Sequence, residues 1–105
     1  MSSALIKTLV LLTLTSLTVA DLHTNAICID VAKSGAYLYN AGATQASCTN
    51  YKKRNTGGKQ WDQCPDCYMK TSTGIPHCRS DNSHLGGDEI TYYCKQNGAA
   101  NALTL

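Results

Sequence analysis

The stretch from Cys64 to Cys94, CPDCYMKTSTGIPHCRSDNSHLGGDEITYYC, holds four of the six cysteines of the chain. An even number of cysteines in a short chain is typical of a disulfide framework, although six cysteines allow about 15 pairings and the sequence does not choose among them. Three bridges of roughly 2–4 kcal/mol each would match the net stability of a small domain. The cysteines expected to be bonded are Cys28, Cys48, Cys64, Cys67, Cys78 and Cys94.

The N-terminal segment at 1–20, MSSALIKTLVLLTLTSLTVA, has the three parts of a secretory signal peptide. Lys7 supplies a positive charge before an uncharged run, and Thr18 and Ala20 are small residues at the two positions that a signal peptidase reads. A membrane anchor is the alternative, but a spanning helix needs about 20 apolar residues and this run is shorter. Cleavage would leave residues 21–105 as one secreted, extracellular, cysteine-rich domain.

The composition explains why such a domain needs disulfides. The chain has no phenylalanine, few aliphatic residues after position 20, six tyrosines and a single tryptophan, Trp61. A domain of this size buries a modest fraction of its surface and is marginal without covalent bonds. We therefore expect a thin apolar core packed around the cysteines.

The net charge excludes strong electrostatic binding by the whole molecule. The formal charge is +2, and loss of Lys7 with the signal peptide lowers it to +1. A nearly neutral protein exerts little long-range attraction on nucleic acid or anionic membranes. We expect no nucleic-acid partner, no stable membrane insertion and a monomer.

Periodicity and turn residues predict a small, disulfide-stabilised single domain of the α+β class, with the order roughly β-α-β-β-α. The stretch Ala26–Ala32 alternates isoleucine and valine with cysteine and aspartate, which is typical of a strand. Thr73-Gly74 between two extended runs indicates a hairpin. The predicted strands are Ala26–Ala32, Tyr37–Tyr39, Cys67–Ser72 and Ile75–Ser80.

Two further stretches carry helix signals. Cys48 and Tyr51 share one face of a helix predicted at Ala43–Asn55, whose basic end suits the helix dipole. Asp88–Asn97 begins with two acids and is followed by Gly98, although its Thr-Tyr-Tyr-Cys segment also favours a strand. We predict a helix there from its end signals. The remaining predictions are loops at Gly58–Pro65 and Ser80–Gly87 and a loose tail at Ala99–Leu105.

The C-x-x-C motif at Cys64–Cys67 has three interpretations. A redox centre needs a strand before the motif and a helix after it, but a loop is predicted before it and a strand after it. Zinc could use these thiolates with Cys78 and either His77 or His84, but the second arm is irregular and secretion favours disulfides. We favour two framework cysteines bonded to different partners, with no metal and no cofactor.

A catalytic site could come from the histidines and acids that lie close in sequence, namely His77, His84, Asp81, Asp88 and Glu89. A small nuclease needs only a histidine and a carboxylate as acid and base. Polar residues also collect in loops for no catalytic reason, and no nucleophile elbow or phosphate-binding loop accompanies them. We therefore expect no enzymatic activity.

A basic run offers a partner-binding surface. Lys52, Lys53 and Arg54 are adjacent, Lys59 follows, and Trp61 lies close behind. They could contact phosphates or anionic lipid of a partner, whereas the simpler interpretation is a solvated helix end. Trp61 is either an exposed anchor or a cover for the thin core. Lys53-Arg54 is also a dibasic pair that a secretory protease could cut, which the sequence leaves open.

Three segments, YNAGATQASCTNYKKRNTG, KQWDQCPDC and GGDEITYYCKQNGAA, resemble the small secreted cysteine-rich proteins of plant-associated filamentous fungi. The resemblance covers most of residues 21–105. It implies an effector that acts in the host apoplast or inside the host cell, and it transfers no catalytic motif. The group also includes antimicrobial and killer-toxin-like α+β proteins.

Three functions follow, in order of preference. The first is a non-enzymatic effector that binds a host protein or cell-wall component and promotes colonisation. The second is an antimicrobial or killer-toxin-like protein, although membrane-active peptides usually carry a larger positive charge than +1. The third is a small secreted hydrolase or nuclease.

Overall fold

The computed structural model describes residues 22–105, and the predicted signal peptide at 1–20 lies outside them. The described part contains two helices and seven short strands, so the predicted α+β class is confirmed. The elements are β1 (Leu22–His23), β2 (Asn25–Val31), β3 (Tyr37–Tyr39), α1 (Ala41–Lys52), a 3-10 turn (Gln60–Asp62), β4 (Tyr68–Lys70), β5 (His77–Arg79), β6 (Leu85–Gly86), α2 (Gly87–Gln96) and β7 (Asn101–Thr104).

Strand β2 is the centre of an antiparallel five-stranded sheet. One edge of β2 pairs with β7, from Ala26 opposite Thr104 to Ile29 opposite Asn101. The other edge pairs with β3 at its C-terminal end and with β5 at its N-terminal end, where Ala26 lies opposite Cys78. Strand β4 extends the sheet beyond β5 through the predicted hairpin. Strands β1 and β6 form a separate pair.

Local signals set the ends of both helices. Asn40 caps α1, because its side-chain oxygen accepts a hydrogen bond from the N–H of Ala43 at 2.9 Å. Helix α1 therefore begins two residues before the predicted start, and it ends at Lys52 instead of Asn55. Helix α2 matches its prediction within one residue, and Gly98 ends it at a φ of +90°. Within residues 22–105, no helix is long and apolar enough to cross a membrane.

Both helices pack on the same face of the sheet, and disulfides hold the layers together. Cys28 on β2 is bonded to Cys94 on α2, and Cys48 on α1 is bonded to Cys78 on β5. All four side chains are at most 2% exposed. The apolar core around them comes from both layers and consists of Ala26, Ala43, Tyr51, Leu85, Ile90 and Ala99, with the cysteines.

The C-terminal residues form a strand, so the prediction of a loose tail at Ala99–Leu105 was wrong. The N–H of Ala100 donates to the carbonyl of Ile29 at 2.9 Å, and the N–H of Leu105 donates to the carbonyl of Asn25 at 3.0 Å. Strand β7 alternates half-buried and exposed residues without a strong β-forming composition. Its conformation comes from the open edge of β2, which a local pattern does not reveal.

The segment between β5 and α2 also differs from its prediction as a polar loop at Ser80–Gly87. Its last residues form β6, and Leu85 is fully buried in the core. The hydroxyl oxygen of Tyr51 on α1 accepts the N–H of Gly86 at 3.1 Å. The same hydroxyl lies 2.7 Å from the carbonyl oxygen of Trp61 and 3.0 Å from that of His84. Tyr51 thus fastens two loops to the helix layer.

Hydrogen exchange is expected to confirm the strand at the C-terminus. The amides of Ala100 and Leu105 donate to carbonyls of β2 and should exchange slowly, whereas the amide of Ser72, in the exposed hairpin connection, should exchange fast. Exchange of individual amides can be followed by nuclear magnetic resonance after transfer into D2O. Equally fast exchange at all three positions would indicate a loose tail.

Candidate functional site

The sheet leaves one face without a helix in the described part of the chain. Side chains alternate along a strand, so Cys28 points toward the helices and Ile27 points to the opposite, open face. Leu103 lies opposite Ile27 on β7 and is 39% exposed. These two residues, with the exposed Ile75 and Leu105, line a groove of about 450 Å³.

Three basic side chains form the wall of this groove on the side of the β4–β5 hairpin. Lys70 on β4 is the cross-strand partner of His77 on β5, and Arg79 lies two residues farther along β5. Residues opposite each other in antiparallel strands, and residues two apart in one strand, share a face of the sheet. The register of the hairpin therefore brings all three side chains to the open face.

The positive charge of this wall is only partly neutralised. Arg79 donates from Nε to Asp81 at 2.8 Å and from Nη1 to the side-chain oxygen of Asn25 at 3.0 Å, which leaves three of its guanidinium N–H groups. The Arg79–Asp81 contact is the only ion pair among residues 22–105, so Lys70 forms no ion pair with these residues. No aspartate or glutamate from these residues lines the groove. The groove combines an apolar floor with a cationic wall.

Tyr39 closes the face next to the groove. It lies opposite Ile29, and its hydroxyl donates to the carbonyl of Pro76 in the hairpin. Ile29 is therefore 2% exposed although no helix of residues 22–105 covers its face. The imidazole of His77 is held as well, because Nδ1 lies 2.8 Å from the carbonyl oxygen of Ile75. The hairpin wall is thus fixed to β3 and to its own turn.

A comparison with protein-family models matches residues 21–102 to biotrophy-associated secreted protein 4. The chain belongs to this family. The resemblance to small cysteine-rich fungal effectors is therefore confirmed, and the protein is a secreted, biotrophy-associated effector. Comparisons with curated proteins and with solved structures found no match.

The effector's C-x-x-C motif differs from the arrangement that we favoured. Cys64 and Cys67 are bonded to each other and not to different partners. A strand follows the motif, as predicted, whereas in a redox centre a helix follows it. The sulfur atoms of Cys48, Cys67 and Cys78 lie within 4.8 Å of one another, but zinc binds thiolates and all three are in disulfides.

The structure separates the basic run into two regions. Lys52 and Lys53 are exposed beside Tyr68, at a small cavity of about 220 Å³ between α1 and β4. Arg54 turns away toward α2, where its guanidinium carbon lies 5.8 Å from the ring centres of both Tyr51 and Tyr93. It also donates to the hydroxyl of Tyr93 at 3.3 Å. Arg54 is thus engaged in holding the two helices together.

Lys59 and Trp61 lie in the loop that leads into the C-x-x-C motif. Lys59 is exposed, and its N–H donates to the carboxylate of Asp62 at 2.9 Å. The hydroxyl of Thr56 donates to the same carboxylate, and these two hydrogen bonds hold the pKa of Asp62 below its usual value. Trp61 is half-buried, and its carbonyl is fixed by Tyr51. Partner binding by Lys52, Lys53, Arg54, Lys59 and Trp61 stays a prediction.

The histidines and acids of the predicted catalytic cluster do not meet at one place. His77 lies in the groove, whereas Nδ1 of His84 contacts the carbonyl oxygen of Gln60 at 2.7 Å in the 3-10 turn. Asp88 and Glu89 lie on α2, on the other side of the sheet, at a separate cavity with Arg54. In the described residues the groove therefore offers a histidine without a carboxylate.

Sequence reasoning missed the groove, because its residues come from β2, β4, β5, β7 and the hairpin turn. One signal pointed to it. The sequence AICIDVA has apolar residues on both faces of the strand, with Cys28 on one face and Ile27 on the other. A strand that is covered on one side normally alternates apolar and polar residues. A second apolar face indicates a second surface to be covered.

Proposed function

We propose that this effector acts without catalysis by binding a host protein through the groove on the open face of the sheet, and that this binding promotes colonisation. The observation that carries the proposal is the contiguous apolar floor of the groove. Exposed apolar surface with polar residues at its rim is a mark of a binding groove. Membership of a secreted, biotrophy-associated family supports a partner in the host.

The exposure of the floor supports a protein partner. Ile75 is 50% exposed and Leu103 is 39% exposed, although the chain has few aliphatic residues after position 20 with which to build its core. Leaving such residues in water gives up roughly 25 cal/mol for each Å² of apolar surface that could have been buried. A partner that covers the groove would recover this free energy. An apolar centre with a polar rim is also the usual composition of protein interfaces.

The chemistry of the groove supports binding over hydrolysis. General acid–base catalysis needs two groups placed to exchange protons with the substrate. Among the described residues that line the groove, His77 has no aspartate or glutamate beside it, and its Nδ1 lies 2.8 Å from the carbonyl oxygen of Ile75. The three disulfides further support action in the oxidising host apoplast.

A colonisation assay tests the proposal. A fungal strain that lacks the protein is complemented with the wild type, with Ile75→Asp or with Leu103→Asp. Each substitution places a charge on the apolar floor, so we expect colonisation to fall to the level of the deletion strain. The substituted side chains are exposed, and secretion into the host apoplast should stay at the wild-type level.

Tyr92→Asp is the matched control for this assay. Tyr92 is 54% exposed on α2, outside the groove, and its replacement should leave colonisation intact. Full colonisation by secreted, folded Ile75→Asp and Leu103→Asp proteins would contradict the proposed function. Purified protein that inhibits the growth of bacteria and fungi would instead support the antimicrobial alternative.

A further inference from the structure

We propose that the groove binds an extended, acidic segment of its partner protein, with apolar side chains on the floor and carboxylates against the hairpin wall. This inference rests on the proposed function, because it names the chemistry of what the groove binds. It goes further in predicting both the conformation and the charge of the bound segment.

The charges that line the groove define the complementary partner. Lys70 has no ion pair among residues 22–105, and Arg79 keeps three N–H donors after its contacts with Asp81 and Asn25. Asp81 itself lies outside the lining of the groove. A carboxylate of a partner would meet the ammonium of Lys70 and the remaining N–H donors of Arg79, whose charge Asp81 partly offsets, and no aspartate or glutamate of the described residues lines the groove. Complementary charge of this kind selects partners and fixes their register.

The spacing of the strands defines the conformation of the bound segment. Strands β5 and β7 flank β2 at Ala26, where Cys78 lies on one side and Thr104 on the other. Neighbouring strands are about 4.8 Å apart, so the two flanking strands are roughly 10 Å apart. A helix with its side chains is about 10–12 Å wide and would rest on the walls. An extended chain is narrower and reaches the floor at Ile27.

Charge also excludes a second copy of the chain as the occupant. Two copies joined face to face through their grooves would place Lys70 and Arg79 of both copies in one interface, where no aspartate or glutamate of the described residues lines either groove. Like charges across an interface oppose association. The exposed lysines Lys52 and Lys53, on the other side of β4, add positive charge close to the same edge of the sheet. The carboxylates of an acidic partner would instead be attracted to these cations.

A defined peptide tests the inference. The probe is the peptide Ser-Glu-Leu-Glu-Leu-Glu-Ser-amide with carboxyfluorescein on its N-terminal amine, and its binding to the purified protein with intact disulfides is followed by fluorescence anisotropy at low salt. A version with glutamine for every glutamate keeps the shape and loses the charge. Two surface charge pairs are lost in that version, so we expect it to bind about tenfold more weakly. A version with lysine for glutamate should not bind measurably.

Variants of the protein locate the binding site. Lys70→Glu should weaken binding of the glutamate peptide about tenfold and improve binding of the lysine peptide. Lys95→Glu makes the same change of charge on α2, outside the groove, and should leave both affinities within about twofold of the wild type. Equal binding of the glutamate and glutamine peptides would overturn the inference, and so would binding of neither.

Two other outcomes would also overturn it. Binding to phosphatidylserine vesicles that Lys70→Glu abolishes, without binding to the peptide, would indicate a membrane surface. A concentration-dependent dimer that Ile75→Asp abolishes would indicate a second copy. The colonisation assay keeps the two proposals distinguishable. If Ile75→Asp abolishes colonisation but charge does not affect peptide binding, the groove stays the functional site and the acidic segment is wrong.

Discussion

Replacing both Cys28 and Cys94 by alanine is expected to lower the free energy of unfolding by about 4 kcal/mol, the largest effect of any disulfide in the protein. This bond closes a loop with a sequence separation of 66, whereas the separations for Cys48–Cys78 and Cys64–Cys67 are 30 and 3. A longer loop restricts the unfolded chain more. The bond also joins the central strand to α2. Guanidinium denaturation under non-reducing conditions measures the loss.

The two shorter loops give the control series for this prediction. The same loop-length relation gives about 3.5 kcal/mol for removing Cys48–Cys78 and about 1.5 kcal/mol for removing Cys64–Cys67. Double alanine variants should therefore rank in the order of their sequence separations. If the Cys64→Ala/Cys67→Ala protein is the least stable of the three, restriction of the unfolded chain is not what these bonds mainly contribute.

Replacing Tyr51 by phenylalanine is expected to cost about 3 kcal/mol, although it removes a single oxygen atom. That oxygen accepts the N–H of Gly86 and donates to one of the two carbonyls of Trp61 and His84. Tyr51 and Gly86 are buried, so the N–H left without a partner would carry its full desolvation cost. Chemical denaturation measures the loss, with Tyr92→Phe as the exposed control.

Alkaline pH gives a second readout for the same hydroxyl. Burial raises the pKa of Tyr51 to about 12 from 10.0, although the N–H of Gly86 acts in the opposite direction. The folded protein therefore holds this proton more tightly than the unfolded chain does. Its stabilising contribution is complete below pH 10 and is lost as the pH rises toward 12. Tyr51→Phe should lack this decline. Stabilities of Tyr51→Phe and Tyr92→Phe that agree at every pH would contradict the proposed role.

The elements that the sequence predicts well are those with local signals. The hairpin follows from Thr73-Gly74, and α2 follows from its acidic start and from Gly98. Helix α1 begins two residues before its predicted start because Asn40 acts as its cap. Capping by a side chain three residues away is a local signal, but the amino-acid composition of the segment does not reveal it.

The pairing of the sheet and the groove depend on contacts between distant residues. Nothing in the composition of Asn101–Thr104 indicates a strand, since its conformation depends on the hydrogen bonds that β2 offers. The cysteine count predicts three bonds but cannot select one pairing out of about 15. The groove requires the pairing and the register together, because Lys70, Arg79 and Leu103 reach one surface only through them.

The pairing of β7 with β2 also decides where a reporter can be attached. The N–H groups of Thr24 and Asn25 both donate to the carbonyl of Leu105 at 3.2 Å, and Leu105 lines the groove. A fluorescent protein fused after Leu105 would therefore start at the mouth of the binding surface and obstruct it sterically. The turn at Ser34-Gly35 lies beyond the far end of β2, about 20 Å along the strand. A small epitope inserted in that turn would report location while leaving the groove free.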